Sequence, residues 1–139
     1  MTVLHASAVD LDGRGVLISG PSGSGKSGLA LQLMALGAKL VSDDRTSVDV
    51  CDGLLWARAP DTIQGLIEAR GIGLLRADAV SQTPVHLLVD LARVETERLP
   101  PERERYIHEV AIPCLHKVDA PYFPAAILQY VLQGRREPS

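Results

Sequence analysis

Gly20-Pro21-Ser22-Gly23-Ser24-Gly25-Lys26-Ser27 matches the spacing G-x-x-x-x-G-K-[ST]. The glycines let successive backbone N–H groups turn inward and cradle phosphate oxygens. A helix starting near Lys26 would aim its positive end at the same anion. Lys26 can reach the outer phosphates as a mobile point charge, and the Ser27 hydroxyl can join a Mg²⁺ shell. An apolar strand before the loop and a helical segment after it supply the required frame, so a nucleoside triphosphate with Mg²⁺ is the expected ligand.

Transfer chemistry also needs a carboxylate beside the phosphates. Two apolar stretches end in one: Leu40-Val41-Ser42-Asp43-Asp44 and Val85-His86-Leu87-Leu88-Val89-Asp90. Spacing does not choose between them, and pattern alone favours Asp90. Asp43 and Asp44 are consecutive at a strand end, so one can face a nucleotide while the other turns away. An ionised aspartate can accept the proton of a hydroxyl nucleophile. If Asp12–Gly15 closes a hairpin with Leu11 opposite Val16, His5 falls level with Ser22, beside the phosphate loop. Glu68 and Arg70, ahead of Gly71-Ile72-Gly73, offer a carboxylate for Mg²⁺ and a guanidinium for phosphate. An exposed Glu–Arg pair at a helix end would look the same.

The elements that must place these groups read as follows. Val3–Leu11 and Val16–Ser19 form strands, and 26–36 forms a helix whose apolar residues cover most of its circumference. Gly37 ends that helix, and 38–42 is the next strand. Strands at 46–50 and 54–57 flank a Cys51-Asp52-Gly53 turn. Pro60 opens a short helix carrying Ile63, Leu66 and Ile67. Val85–Leu91 is a central strand, the charged stretch 93–105 is solvated, and 106–116 gives two short strands split near Pro113. Tyr122–Gln133 closes the chain as a helix, with 136–139 a frayed tail after a single domain at 1–135. Interleaved strands and helices make an α/β domain.

Composition narrows the partners. The chain has 139 residues and a formal charge of −3, which disfavours non-specific nucleic-acid binding. Its few aromatics (Trp56, Tyr106, Tyr122, Phe123, Tyr130) form no base-stacking platform. No apolar run is long enough for a membrane span. The start lacks a basic, apolar leader, so a cytoplasmic location is expected. Cys51 and Cys114 fit no metal spacing and read as small packing residues with reduced thiols.

The segments HASAVDLDGRGVLISGPSGSGKSGLALQL, GAKLVSDD and GLIEARGIG resemble, in that order, the catalytic domain of the HPr kinase/phosphorylase family. GLIEARGIG is close to that family's signature E-[IV]-R-G-[IL]-G, here Glu68, Arg70, Gly71 and Gly73 about Ala69 and Ile72. The resemblance implies a P-loop kinase fold similar to phosphoenolpyruvate carboxykinase, with a mixed central sheet and flanking helices. It implies an enzyme that moves phosphate from ATP or pyrophosphate to a serine of an HPr-like phosphocarrier protein, and can reverse this by phosphorolysis. It also implies that Gly20 to Ser27 hold the phosphates, and that Ser27 and Glu68 bind Mg²⁺. Asp44 would be the proton acceptor, with Asp43 beside it, His5 an active-site histidine and Arg98 a catalytic arginine. Asp90 becomes a structural strand end. Family members form hexamers, so a homo-oligomer is implied.

Two departures stand out. Long members carry an N-terminal domain, and the expectation here is the compact form typical of some proteobacteria. Long members also have a late R-P-G-R-N loop tied to dephosphorylation, whereas 114–124 here has no arginine, which weighs against the phosphorylase half. A small-molecule P-loop kinase and a nucleotide-sensing module without transfer share the same loop. In all three readings Lys26→Ala should weaken ATP binding itself, measured by calorimetry. Unchanged affinity would remove the loop from its role.

Overall fold

Val16, Leu17 and Ile18 are consecutive, apolar and wholly buried, so the strand that carries them needs cover on both faces. The computed structural model, which describes residues 2–137, supplies it. The strands are β1 (Thr2–Leu4), β2 (Ala6–Leu11), β3 (Arg14–Ser19), β4 (Lys39–Ser42), β5 (Thr46–Cys51), β6 (Leu54–Arg58), β7 (Leu66–Ala69), β8 (Gly73–Arg76), β9 (Gln82–Val94), β10 (Glu104–Ile107) and β11 (Val110–Lys117). The helices are α1 (Lys26–Ala35) and α2 (Phe123–Gln133).

Nine strands make one curled mixed sheet, in the order β1-β5-β6-β9-β3-β2-β4 with β11 on β9 and β10 on β11. β3, β9 and β11 run parallel, while β2 is antiparallel to both β3 and β4. The carboxyl ends of β4, β3, β9 and β11 therefore share one edge, where open α/β sheets bind their ligands.

Both helices cover the same face. Leu29, Ala30 and Leu33 of α1 and Phe123 and Ile127 of α2 pack with Val16, Ile18, Leu87 and Val89. The other face is closed by the curl of the sheet, where Leu17, Val41, Val48, Leu55, Leu88 and Ile112 meet. A bulge at His86 keeps the long β9 in step: Gly15 is opposite Val85 but Val16 is opposite Leu87. The extra residue inverts the facing, so Val85 joins the curl side and Leu87 the helix side.

Several sequence expectations change. β2 and β3 are joined by a two-residue turn, Asp12-Gly13, with φ of 52° and 84°, a turn whose twist suits a hairpin. Leu11 is opposite Arg14, not Val16, and His5 is level with Gly20 rather than Ser22. The segment after Pro60 is only a 3-10 turn at Asp61–Ile63, and Leu66–Ala69 is a strand paired with β8. Helical spacing of three apolar residues was outweighed there by hairpin pairing. Pro113 lies inside β11, just before Cys114, the first residue paired with β9, and the break falls at His108-Glu109.

α1 is buried along one stripe, with Leu36 44% exposed beyond it. Gly37 does end α1: its N–H reaches Met34 O and that of Ala38 reaches Leu33 O, a Schellman closure. Cys114 is core and burial pushes its thiol up, but Cys51 is exposed on its hairpin. Phe123 is buried and Tyr122 exposed. Of the tail at 136–139, residues 136 and 137 lack regular structure and 138–139 lie outside the described residues.

Asp90 is engaged in structural bonds, but it lies inside β9, which runs on to Val94, and is not a strand end. It accepts from Arg105 at 2.6 Å and from the Ala92 N–H at 2.9 Å. Burial raises its carboxyl, but those donors together outweigh burial and hold it below its ordinary value. Its contribution to stability is thus present above about pH 4 and lost as pH falls through the lowered value. Arg105→Ala should cost about 2 kcal/mol at pH 7 in denaturant unfolding, less than a fully buried pair because Arg105 is 41% exposed. The gap to wild type should narrow as pH falls below the ordinary aspartate range and Asp90 takes up its proton.

Candidate active site

β3 ends at Ser19 and α1 begins at Lys26, so residues 20–25 must turn within a few ångströms of the sheet edge. Gly20 has φ 150°, and a Cβ there would lie 2.5 Å from Ser24 Oγ and 3.2 Å from Leu91. Gly25 has φ 99° and is the N-cap, with its carbonyl receiving the Leu29 N–H at 2.9 Å. Both conformations favour glycine. Lys26 is 5% exposed and donates to Gly20 O at 2.9 Å and Pro21 O at 3.2 Å. Its ammonium is folded onto the loop it serves, where an entering phosphate would compete with those two carbonyls. Among the described residues, Ser24 Oγ is the one buried side-chain polar atom with no hydrogen-bond partner.

The acidic doublet sits beside this loop, because β4 carries it to the same edge. Asp43 faces inward. Its Oδ1 accepts from Ser7 Oγ at 3.0 Å and Ser27 Oγ at 2.5 Å, and its Oδ2 accepts from the Glu68 N–H at 2.9 Å. Three donors from β2, α1 and β7 thus converge on one buried carboxylate, each bond strengthened by its charge.

Asp44 faces outward. Its φ is 65°, the left-handed region, which costs a non-glycine residue roughly 1–2 kcal/mol. Its N–H donates to Ser7 Oγ at 3.0 Å. The carboxylate then lies 2.7 Å from His5 Nε2 and 3.7 Å from Lys26 Nζ. His5 reaches it because the chain breaks strand between β1 and β2 at that residue.

A cavity of about 550 Å³ opens over the loop, bordered by Ser22, Lys26, Ser27, Asp44, Glu68 and Arg70. The structure therefore gathers His5, the whole 20–27 loop, Asp43, Asp44, Glu68 and Arg70. Gly71 and Gly73 lie in and just after the turn of the β7–β8 hairpin, whose tip leaves Ile72 79% exposed. Arg98 is not part of this group. It is exposed on a bend four residues beyond the carboxyl end of β9, makes no side-chain hydrogen bond or ion pair among the described residues, and has no share in the cavity wall. The cationic side chains at the cavity are those of Lys26 and Arg70.

Ser27 and Glu68 offer hard oxygen donors on one cavity. Because Ser27 gives its proton to Asp43, its lone pairs are free to face a cation. That set suits Mg²⁺, which takes one or two protein oxygens and fills its shell with phosphate and water. No cluster of three or more His, Cys, Asp or Glu side chains that could hold a metal by itself occurs among the described residues.

Sequence reading missed Ser7. It is wholly buried and touches both aspartates. The only signal was a small polar residue between two alanines of an apolar strand, which an edge position would explain as well.

The geometry has counterparts. A structure described as "Structure of the Hpr(Ser) kinase/phosphatase from Coxiella burnetii" superposes with a TM-score of 0.83 at 28% identity, covering 94% of each chain. A protein named HPr kinase/phosphorylase from Clostridium beijerinckii is 45% identical over 74 residues, 53% of this chain and 24% of the relative. One from Clostridium novyi is 35% identical over 104 residues, 70% of this chain and 34% of the relative. The chain thus spans about a quarter to a third of the length of the curated relatives it matches. Residues 1–116, which carry the loop, the doublet, the hairpin and the sheet that aligns them, match the family described as HPr Serine kinase C-terminal domain, and the chain belongs to that family.

Proposed function

We propose that residues 1–135 form the catalytic domain of a protein-serine kinase that transfers the terminal phosphoryl group of ATP to a serine of an HPr-like phosphocarrier protein. The observation that carries this reading is the Asp44 carboxylate, held by His5 and Lys26 at the mouth of the phosphate-loop cavity. The names of the Clostridium and Coxiella relatives point to the same acceptor.

The roles follow from position. Gly20 to Ser27 bind the phosphate chain. Asp43 fixes Ser27 and the β7 strand. His5 occupies one oxygen of Asp44 and sets its orientation, leaving the other for the serine hydroxyl. The serine oxygen bonds to phosphorus as the bond to the ADP oxygen breaks, and the serine proton passes to Asp44. Lys26 offsets charge on the transferring group, and Arg70 stands where a guanidinium can do the same. Ser27 and Glu68 would hold Mg²⁺, which when bound neutralises phosphate charge.

Pyrophosphate is short enough to bind the same loop as an alternative donor. Phosphorolysis would run the step backwards with Asp44 returning its proton, and the arginine-free 114–124 segment makes that half the weaker. A cytoplasmic homo-oligomer, a hexamer as in the family, belongs to the same proposal. No helix among the described residues is long and apolar enough to cross a membrane, and the net charge of −3 gives no nucleic-acid footprint.

Incubation with labelled ATP, Mg²⁺ and a purified HPr-like protein should label the carrier. Asp44→Asn should lower that transfer by about 10²–10⁴-fold with ATP affinity retained. Label on a small metabolite, or binding without transfer in the wild type, would refute the proposal. Ser7→Ala removes the hydroxyl that holds both aspartates. It should cut turnover about tenfold or more while ATP affinity stays within about twofold, at a stability cost of roughly 1–3 kcal/mol. Wild-type turnover in Ser7→Ala would show that Asp44 keeps its pose without it.

A further inference from the structure

The path through the large sheet begins at β1 and ends at β4, yet the chain itself ties those ends together. β1 runs on into β2 after the single residue His5, and β4 runs on into β5 after Asp43, Asp44 and Arg45. β1 pairs with β5, while β2 pairs with β3 and β4. The curled sheet therefore has a seam where its two ends meet. Two strand breaks cross that seam side by side, because Leu4 is opposite Thr46 and Ala8 is opposite Ser42. His5 sits in one break and Asp44 in the other, and their side chains meet at 2.7 Å.

Between those two pairs the backbone ladder lapses, and buried hydroxyls take its place. Ser7 accepts the Asp44 N–H and donates to Asp43. Ser42 donates to Arg45 O and closes the turn that carries the doublet. Thr46 Oγ1 donates across the seam to Ala6 O at 2.8 Å. Thr46 thus grips both neighbours of His5, Leu4 by strand pairing and Ala6 by its hydroxyl.

The residue type supports this role. Thr46 is wholly buried, on the same strand face as Val48 of the curl-side core. Valine has the same shape and the same preference for strands, with no hydroxyl to satisfy. Apolar packing therefore does not account for threonine here, whereas the bond to Ala6 does. The His5 ring has little to hold it directly. Its side chain is 49% exposed, and its polar contact is with Asp44 itself. Where the ring can reach is set by its backbone, and Thr46 fixes that backbone on both sides.

We propose that Thr46 is a positioning residue, whose hydroxyl clasps the chain around His5 and so holds the imidazole against the Asp44 carboxylate. The inference rests on the reading that Asp44 accepts the serine proton and deepens it.

The test compares Thr46→Val, which loses only the hydroxyl, with Thr46→Ser, which keeps it. Transfer to the HPr-like protein should fall about fivefold in Thr46→Val, the worth of one hydrogen bond, with KM for ATP within about twofold of wild type. Thr46→Ser should restore transfer, and Thr46→Ala, a second variant without the hydroxyl, should behave as Thr46→Val does. On top of His5→Ala, Thr46→Val should cost nothing further, since residues that act as a unit do not add. Nuclear Overhauser contacts between the His5 ring and the Asp44 methylene should be present in wild type and Thr46→Ser and lost in Thr46→Val. Unchanged ring contacts in Thr46→Val overturn the inference, as does a full further loss of transfer in the His5→Ala background. The ring contacts are measured without any acceptor. A wild type that labels no carrier therefore refutes the kinase reading, while those contacts still decide whether Thr46 holds His5 in place.

Discussion

The Asp43 carboxylate is the joint on which the site depends. Its side chain accepts hydrogen bonds from Ser7 on β2, from Ser27 at the start of α1 and from the Glu68 N–H on β7. Those elements lie far apart in sequence. A buried carboxylate is tolerated only if its oxygens are satisfied, and each of these donors belongs to an element that must be near the phosphates. One electrostatic demand thus brings loop, doublet and hairpin to a common place. It also underlies the division of labour in our proposal: Asp43 is engaged by three structural donors, and Asp44, turned outward toward His5 and Lys26, is the carboxylate to which we assign proton transfer.

The conformation of Asp44 follows from the same joint. A left-handed backbone at a non-glycine residue persists only where surrounding contacts over-determine it. Ser7 accepts the Asp44 N–H, while Asp43 anchors the preceding residue and the Arg45 N–H bonds Asp43 O at 2.7 Å. The turn so fixed points the second carboxylate at His5 and Lys26. The first-ranked rival in sequence, Asp90, meets the opposite fate. It lies on the curl side of β9, away from α1 and the phosphate loop, with each oxygen engaged by Arg105 or Ala92.

How legible the site was depended on the range of the interaction behind each part. The phosphate loop is a local device: its glycines, its lysine and the strand and helix beside it lie within one short stretch, and all were readable. The hairpin signature was readable as a motif and misread as structure. Ile63, Leu66 and Ile67 fit a helical period, but three residues cannot separate a helix turn from a strand, and pairing with β8 decided it. His5 was placed near the loop for a register that was itself off by two positions. A two-residue turn moved it level with Gly20, and the break after β1 still let its ring reach Asp44.

The sequence by itself determined that a phosphate chain would be held between a strand and a helix, because backbone N–H groups at a glycine-rich bend need no distant partner. It also determined that an acidic doublet and a Glu–Arg pair would be available, and its resemblance named their family. Only the tertiary structure decided which aspartate faces the cavity over the loop, that Ser7 ties the doublet down, and that Arg70 but not Arg98 borders that cavity. Those outcomes turn on burial and on which strands are neighbours in the sheet. Both depend on contacts between residues tens of positions apart, which no local pattern records.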